Sequence, residues 1–208
     1  MKINDILKLE LSRRDMLRRT AFGLTGALMV GVSLPALLAR PARAAQAVGG
    51  KILTVVYSRT GNTRLMAGYI HELVGGDLVE LETVNPYPEA YRATTKQAKE
   101  ELESGFKPPL KTKIENLGAY DVICVGSPCW WGTVATPVIT FLSENDFAGK
   151  TLVPFMTHEG SGLGRTESHI RSLCPASTVL EGLAIRGGRV GSARDDVSTW
   201  LREIGMGS

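Results

Sequence analysis

Apolar residues along this chain fall into short runs that alternate with segments of helical spacing. The first run, residues 52–56, is aliphatic and β-branched and predicts a strand. Leu65, Met66, Tyr69, Ile70 and Leu73 then recur at intervals of three and four, the buried face of a helix. Residues 77–82 alternate like a strand with one covered face. Residues 89–103 are charged and helix-favouring, with Tyr91, Ala98 and Leu102 as a modest apolar side. Residues 121–126 open on Asp121 and then form a continuous apolar run, as central parallel strands do. Thr136 and Pro137 fit the N-cap and first position of a helix through Phe141 and Leu142. Residues 151–157 predict a fourth strand, 166–173 a short helix and 178–185 a fifth strand. Ser192, with Asp195 at the capping-box position, is expected to cap a last helix whose stripe is Val197, Trp200, Leu201 and Ile204.

Five strands alternating with helices predict a three-layer α/β domain, in which ligands bind beyond the carboxyl ends of the strands. Three loops converge there: 58–63, 127–133 and 157–164.

The first forty-odd residues read differently. Arg13 and Arg14 are paired, Arg18 and Arg19 follow, and residues 21–39 are apolar but rich in Gly and Ala. Ala42-Arg43-Ala44 supplies the small-x-small pattern of a cleavage site. Residues 1–44 are therefore expected to be a twin-arginine (Tat) signal peptide, cut after about Ala44, and 45–208 the folded domain. That route carries proteins already folded, which places the domain in the periplasm. The membrane is met only during export, or through the leader if it stays uncleaved.

Removing the leader changes the charge. The whole chain is +3, with 24 basic and 21 acidic residues; residues 45–208 keep 16 basic against 18 acidic, a net −2. A nearly neutral domain gives no electrostatic reason to expect nucleic acid. Cys124, Cys129 and Cys174 form no CxxC pair and no His/Cys metal set, so neither a metal site nor a disulfide scaffold is expected.

The chemistry lies in the three loops. Tyr57-Ser58-Arg59-Thr60-Gly61-Asn62-Thr63 joins a strand to a helix start, where unpaired backbone N–H groups and the helix dipole favour a phosphate. Ser58, Thr60 and Thr63 add hydroxyls, Asn62 an amide, and Gly61 lets the backbone close. This loop carries no Gly-Lys-Ser/Thr sequence, which argues against a nucleoside triphosphate there. Ser127-Pro128-Cys129-Trp130-Trp131-Gly132-Thr133 holds two adjacent tryptophans, an aromatic platform for a flat ring. Since neighbours in an extended segment face opposite ways, one is expected to meet the ligand while the other anchors the loop. Thr157, Gly160, Ser161 and Gly162 lie in the third loop, whose glycines allow backbone groups to approach the polar edge of a heterocycle. His158 is a candidate proton donor there, although a surface histidine without a role is the simpler reading.

Taken in order, Tyr57–Thr63, Gly126-Ser-Pro-Cys-Trp-Trp-Gly-Thr133 and Pro154-Phe-Met-Thr-His-Glu-Gly-Ser-Gly162 resemble the flavodoxin-like family over about residues 51–204. The resemblance implies a parallel five-stranded sheet of order 2-1-3-4-5 and one noncovalently bound FMN. It implies that loop 58–63, including Arg59, holds the phosphate. Pro128, Cys129 and Gly132 would meet the ring through backbone groups, with Trp130 or Trp131 stacking. A backbone carbonyl near Gly132 is expected to turn and accept the proton that the ring gains on reduction. Cys129 departs from the aliphatic residue that the resemblance leads one to expect. The function implied is electron transfer outside the cytoplasmic membrane, exchanging electrons with a redox partner protein or a small donor or acceptor. Two alternatives stay open: an FMN-dependent NAD(P)H/quinone-type oxidoreductase, and a structural or sensing flavin-binding module.

Overall fold

The computed structural model describes residues 49–207, so the expected leader lies outside the described residues. Five principal parallel strands form the sheet: β1 (Ile52–Val56), β2 (Asp77–Glu80), β3 (Val122–Trp130), β5 (Thr151–His158) and an edge strand in two pieces, β6 (Thr178–Val179) and β7 (Leu183–Arg186). A two-residue strand, β4 (Thr133–Val134), folds back antiparallel on the end of β3. The order is β2-β1-β3-β5-β6/β7, which is 2-1-3-4-5 when the principal strands are counted in sequence.

Both faces of the sheet are covered, which explains the continuous apolar runs. Leu53, Val55, Ile123, Val125, Leu152 and Met156 pack on one side, with Phe141 and Leu142 of α3 (Thr136–Glu144) and Ile170 of α4 (Thr166–Leu173). Val56, Val122, Cys124, Val153 and Phe155 point to the other, against Met66 and Ile70 of α1 (Asn62–Val74) and Val197, Trp200 and Leu201 of α5 (Arg194–Glu203). Burial pushes the Cys124 thiol up to about 12. A further helix, α2 (Tyr91–Ser104), comes after β2 in the chain and packs beside α3.

The edge strand breaks where the sequence alone predicts continuity. Its register against β5 shifts by one residue, from Leu152↔Val179 to Phe155↔Leu183. Alternate residues of a parallel strand face the same neighbour. Leu152 accepts from Leu180 on the edge side, so Pro154 faces that side too and brings no N–H. The chain bulges opposite it, and the Gly182 N–H turns instead to Glu167 Oε1 at 2.9 Å.

Two helix starts also differ. Thr136 is already helical and Ala135 is the cap. Ser192 ends a 3-10 turn, Gly187–Ser192, and gives its hydroxyl to Arg189 O, so it does not cap α5. The turn runs directly into that helix through Ala193.

Candidate functional site

The loop after β1 closes on itself and leaves its donors outward. The Gly61 N–H donates to Ser58 Oγ at 3.2 Å, and Gly61 takes a left-handed conformation (φ 90°) that favours glycine. No side chain caps α1, and the N–H groups of Asn62, Thr63 and Arg64 find no acceptor among the described residues. An anion is the natural partner for such a turn. Thr63 points inward, where its hydroxyl meets that of Thr157 at 2.8 Å. Arg59 reaches sideways: Nε donates to Thr94 Oγ1 and the guanidinium also to Glu89 O, which ties this loop to the start of α2.

β3 and β4 form a tight hairpin whose corner is Trp131 and Gly132. Both have positive φ, 51° and 78°, the pattern of a type I′ turn. Such a conformation is unusual for a bulky residue. Ser127 braces the base, its Oγ accepting the Ala135 N–H at 2.8 Å.

The two tryptophans diverge as expected from an extended segment. Trp130 is half-buried and packs edge-to-face with Tyr57 and Tyr87, ring centres 5.6 and 4.9 Å away. Trp131 is 54% exposed; its indole N–H donates to Thr95 O on α2 at 3.1 Å, and Lys99 Nζ lies 5.4 Å from its ring centre. The Gly132 carbonyl accepts the Arg165 N–H at 2.8 Å. Gly164 presses on the same oxygen, and a Cβ there would collide with it.

Beneath Trp130 lies a buried carboxylate. Glu101 is only 6% exposed, and it receives Tyr87 Oη, Thr136 Oγ1 at 2.6 Å and Gln97 Nε2 at 2.9 Å. Burial raises the Tyr57 and Tyr87 hydroxyls well above the ordinary tyrosine range, and the Glu101 charge raises them further. Both phenols therefore stay neutral beside the cleft.

The third loop completes the enclosure. Ser161 Oγ donates to Cys129 Sγ at 3.0 Å, and His158 Nδ1 is buried without a partner among the described residues. The result is a cleft of about 830 Å³ at the carboxyl ends of β1, β3 and β5. Arg59, Thr60, Asn62, Pro128, Cys129, Trp130, Trp131, Gly132, Thr157, Gly160 and Ser161 line it. Ser58, Gly61, Thr63 and Gly162 do not; the first three shape the walls from behind. Sequence reasoning missed one wall, made by Tyr91, Thr94, Thr95 and Ala98 of α2, and also Glu159 and Gly187. Tyr91, Thr94/Thr95 and Ala98 share one helix face, a signal hidden among the charges of that segment.

Comparison with known proteins agrees with this geometry. A candidate flavoprotein from Bacteroides eggerthii is 30% identical, with a TM-score of 0.67 over 75% of this chain and 98% of its own. A second, from Bacteroides uniformis, is 30% identical with a TM-score of 0.66, covering 74% and 99%. A Lactobacillus acidophilus flavoprotein, solved in complex with FMN, is 26% identical with a TM-score of 0.57, covering 72% and 99%. No curated protein matches significantly. The flavodoxin family model matches residues 51–204, and the chain belongs to the flavodoxin family.

Proposed function

We propose that this protein binds one FMN in the cleft above β1, β3 and β5 and works as an electron-transfer flavoprotein outside the cytoplasmic membrane. The observation that carries the reading is the set of N–H groups at Asn62, Thr63 and Arg64, unpartnered among the described residues, at a helix start beside the cleft that Asn62, Trp130 and Trp131 line. A phosphate and a flat ring are the two ends of a flavin mononucleotide, and these residues fit both. The buried, unpartnered Nδ1 of His158 adds a polar group at the third wall. When bound, FMN supplies the redox chemistry.

The chain's own residues would then do the following. Loop 58–63 binds the phosphate through backbone N–H groups and hydroxyls. Arg59, tied to Glu89 O and Thr94, holds α2 against that loop and adds positive charge. Trp130, locked by two tyrosines, gives a rigid inner wall, and Trp131, latched to Thr95, an outer one. The Gly132 carbonyl is already engaged by Arg165, so the hairpin carbonyl free to accept a hydrogen bond from a protonated ring nitrogen would be that of Trp131. This refines the expectation of a carbonyl near Gly132.

A second reading is an FMN-dependent NAD(P)H/quinone-type oxidoreductase. The exposed rings of Tyr91 (67%) and Trp131 at the cleft favour it, because they suit a planar small molecule. The near-neutral charge of the domain also offers little steering toward a protein partner.

Protein recovered from the periplasm should be yellow and release FMN. Steady-state assays with nicotinamide and quinones separate the readings: turnover of ~1 per second or faster would rule out a pure carrier. Flavin that answers neither reductant nor partner would leave only a structural or sensing role.

A further inference from the structure

A second hollow, of about 480 Å³, opens on the far side of the hairpin between the end of α2, α3 and α4. Arg165 and Lys107 line it, and neither has an ion-pair partner among the described residues. His169 lies beside them, its ring held by a 2.7 Å hydrogen bond to Thr133 Oγ1. Burial, and then the nearby Arg165 charge, lower the pKa of that ring, so the positive potential is already sensed there. The one acid in the wall is Glu101, whose carboxylate is occupied by Tyr87, Thr136 and Gln97. Apolar surface completes the hollow: Leu102, Ile139 and a half-exposed Phe106.

Unpaired cations beside apolar wall and an exposed aromatic ring suit an amphipathic anion better than water alone. The hollow also has a direct line to the cleft, because the Arg165 N–H holds the Gly132 carbonyl at the hairpin corner. We propose that this hollow binds a small organic carboxylate with an apolar body, held by Arg165 and Lys107, and that its occupancy is felt at Gly132. The site would let the concentration of such an anion adjust the wall against which the cleft ligand rests.

Titrating the protein as purified with benzoate or octanoate, followed by amide NMR, tests this directly. The expected result is saturable shifts at Ser168 and Ser172 that extend to Arg165 and Gly132, with none from benzyl alcohol. Arg165→Gln and Lys107→Gln, both at exposed side chains, should each weaken binding about two- to fivefold. No saturable shift up to about 10 mM, or equal binding by the variants, overturns the site. Inorganic phosphate binding as tightly as benzoate overturns the ligand class, and shifts that stop short of Gly132 overturn the coupling. None of these readouts needs the flavin, so this proposal and the FMN reading fail separately.

Discussion

The hydroxyls of Thr63 and Thr157 meet at 2.8 Å beneath the cleft, joining the phosphate-type loop to the third loop across 94 residues of sequence. Both side chains are buried, so each satisfies the other where water does not reach. Thr63→Val should leave Thr157 unpaired and cost about 1–3 kcal/mol. The double variant with Thr157→Val should cost less than the sum of the single changes. Urea unfolding of the four proteins measures the coupling.

The tryptophans should separate stability from binding. Trp130→Ala opens space beside Tyr57 and Tyr87 and should cost about 2–3 kcal/mol, below the 3–5 of a fully buried aromatic. It should also weaken FMN binding. Trp131→Ala removes an exposed ring and one hydrogen bond, so stability should fall by less than about 1 kcal/mol while FMN binding still weakens. Flavin titration beside thermal melting reads both quantities, and equal, negligible binding losses would remove the aromatic-wall model.

Alkaline pH should unfold the protein early. The folded-state pKa values of Cys124, Tyr57 and Tyr87 are all raised, mainly by burial. A raised acid holds its proton in the folded state after the unfolded chain has lost it. Stability is therefore whole below the unfolded values, about 8.5 for Cys and 10 for Tyr, and falls as pH rises beyond them. Each group adds up to about 1.4 kcal/mol per pH unit to that slope. Denaturation midpoints between pH 8 and 11, in steps, would show it, and Cys124→Ala should flatten the earliest part.

Gly164→Ala should be damaging although the residue is exposed. Its φ of 54° strains an L side chain, and the added carbon would strike the Gly132 carbonyl. A loss of at least about 1 kcal/mol is expected, with weaker FMN binding, because the hairpin must move to relieve the contact. Gly160→Ala, in the same loop with open space around it, is the control for stability alone, since Gly160 lines the cleft.

The proposed export rests on the leader. Replacing Arg13 and Arg14 together by Lys should keep the yellow protein in the cytoplasm with its flavin bound. Cell fractionation with absorbance at flavin wavelengths decides it. Undiminished periplasmic protein would refute the twin-arginine route while leaving the cleft untouched.

The cleft was legible from sequence wherever an apolar strand run ended in hydroxyls, glycines or tryptophans, as at Thr60, Trp130 and Ser161. Such residues are costly or pointless at a strand end without a partner. The α2 wall was not legible, since Thr94, Thr95 and Ala98 sit among Arg92, Lys96 and Lys99 and read as a solvated face. The tertiary links from Arg59 and Trp131 show which side turns inward. The split edge strand was hidden for a similar reason. Its cause, Pro154, belongs to the neighbouring strand, and Gly182 is the one mark of it within residues 178–185. The expected Ser192 cap had the right residue pattern, but the preceding 3-10 turn had already organised the helix start.

Because the three gripping loops spring from adjacent strands, their spacing is inherited from the ladder repeat of the sheet, about 4.8 Å per strand. A guest that gains or loses charge therefore meets a mouth of constant width. Adaptation is left to peptide orientation at the hairpin tip, which under the proposed electron-transfer role keeps the cost of rearrangement small.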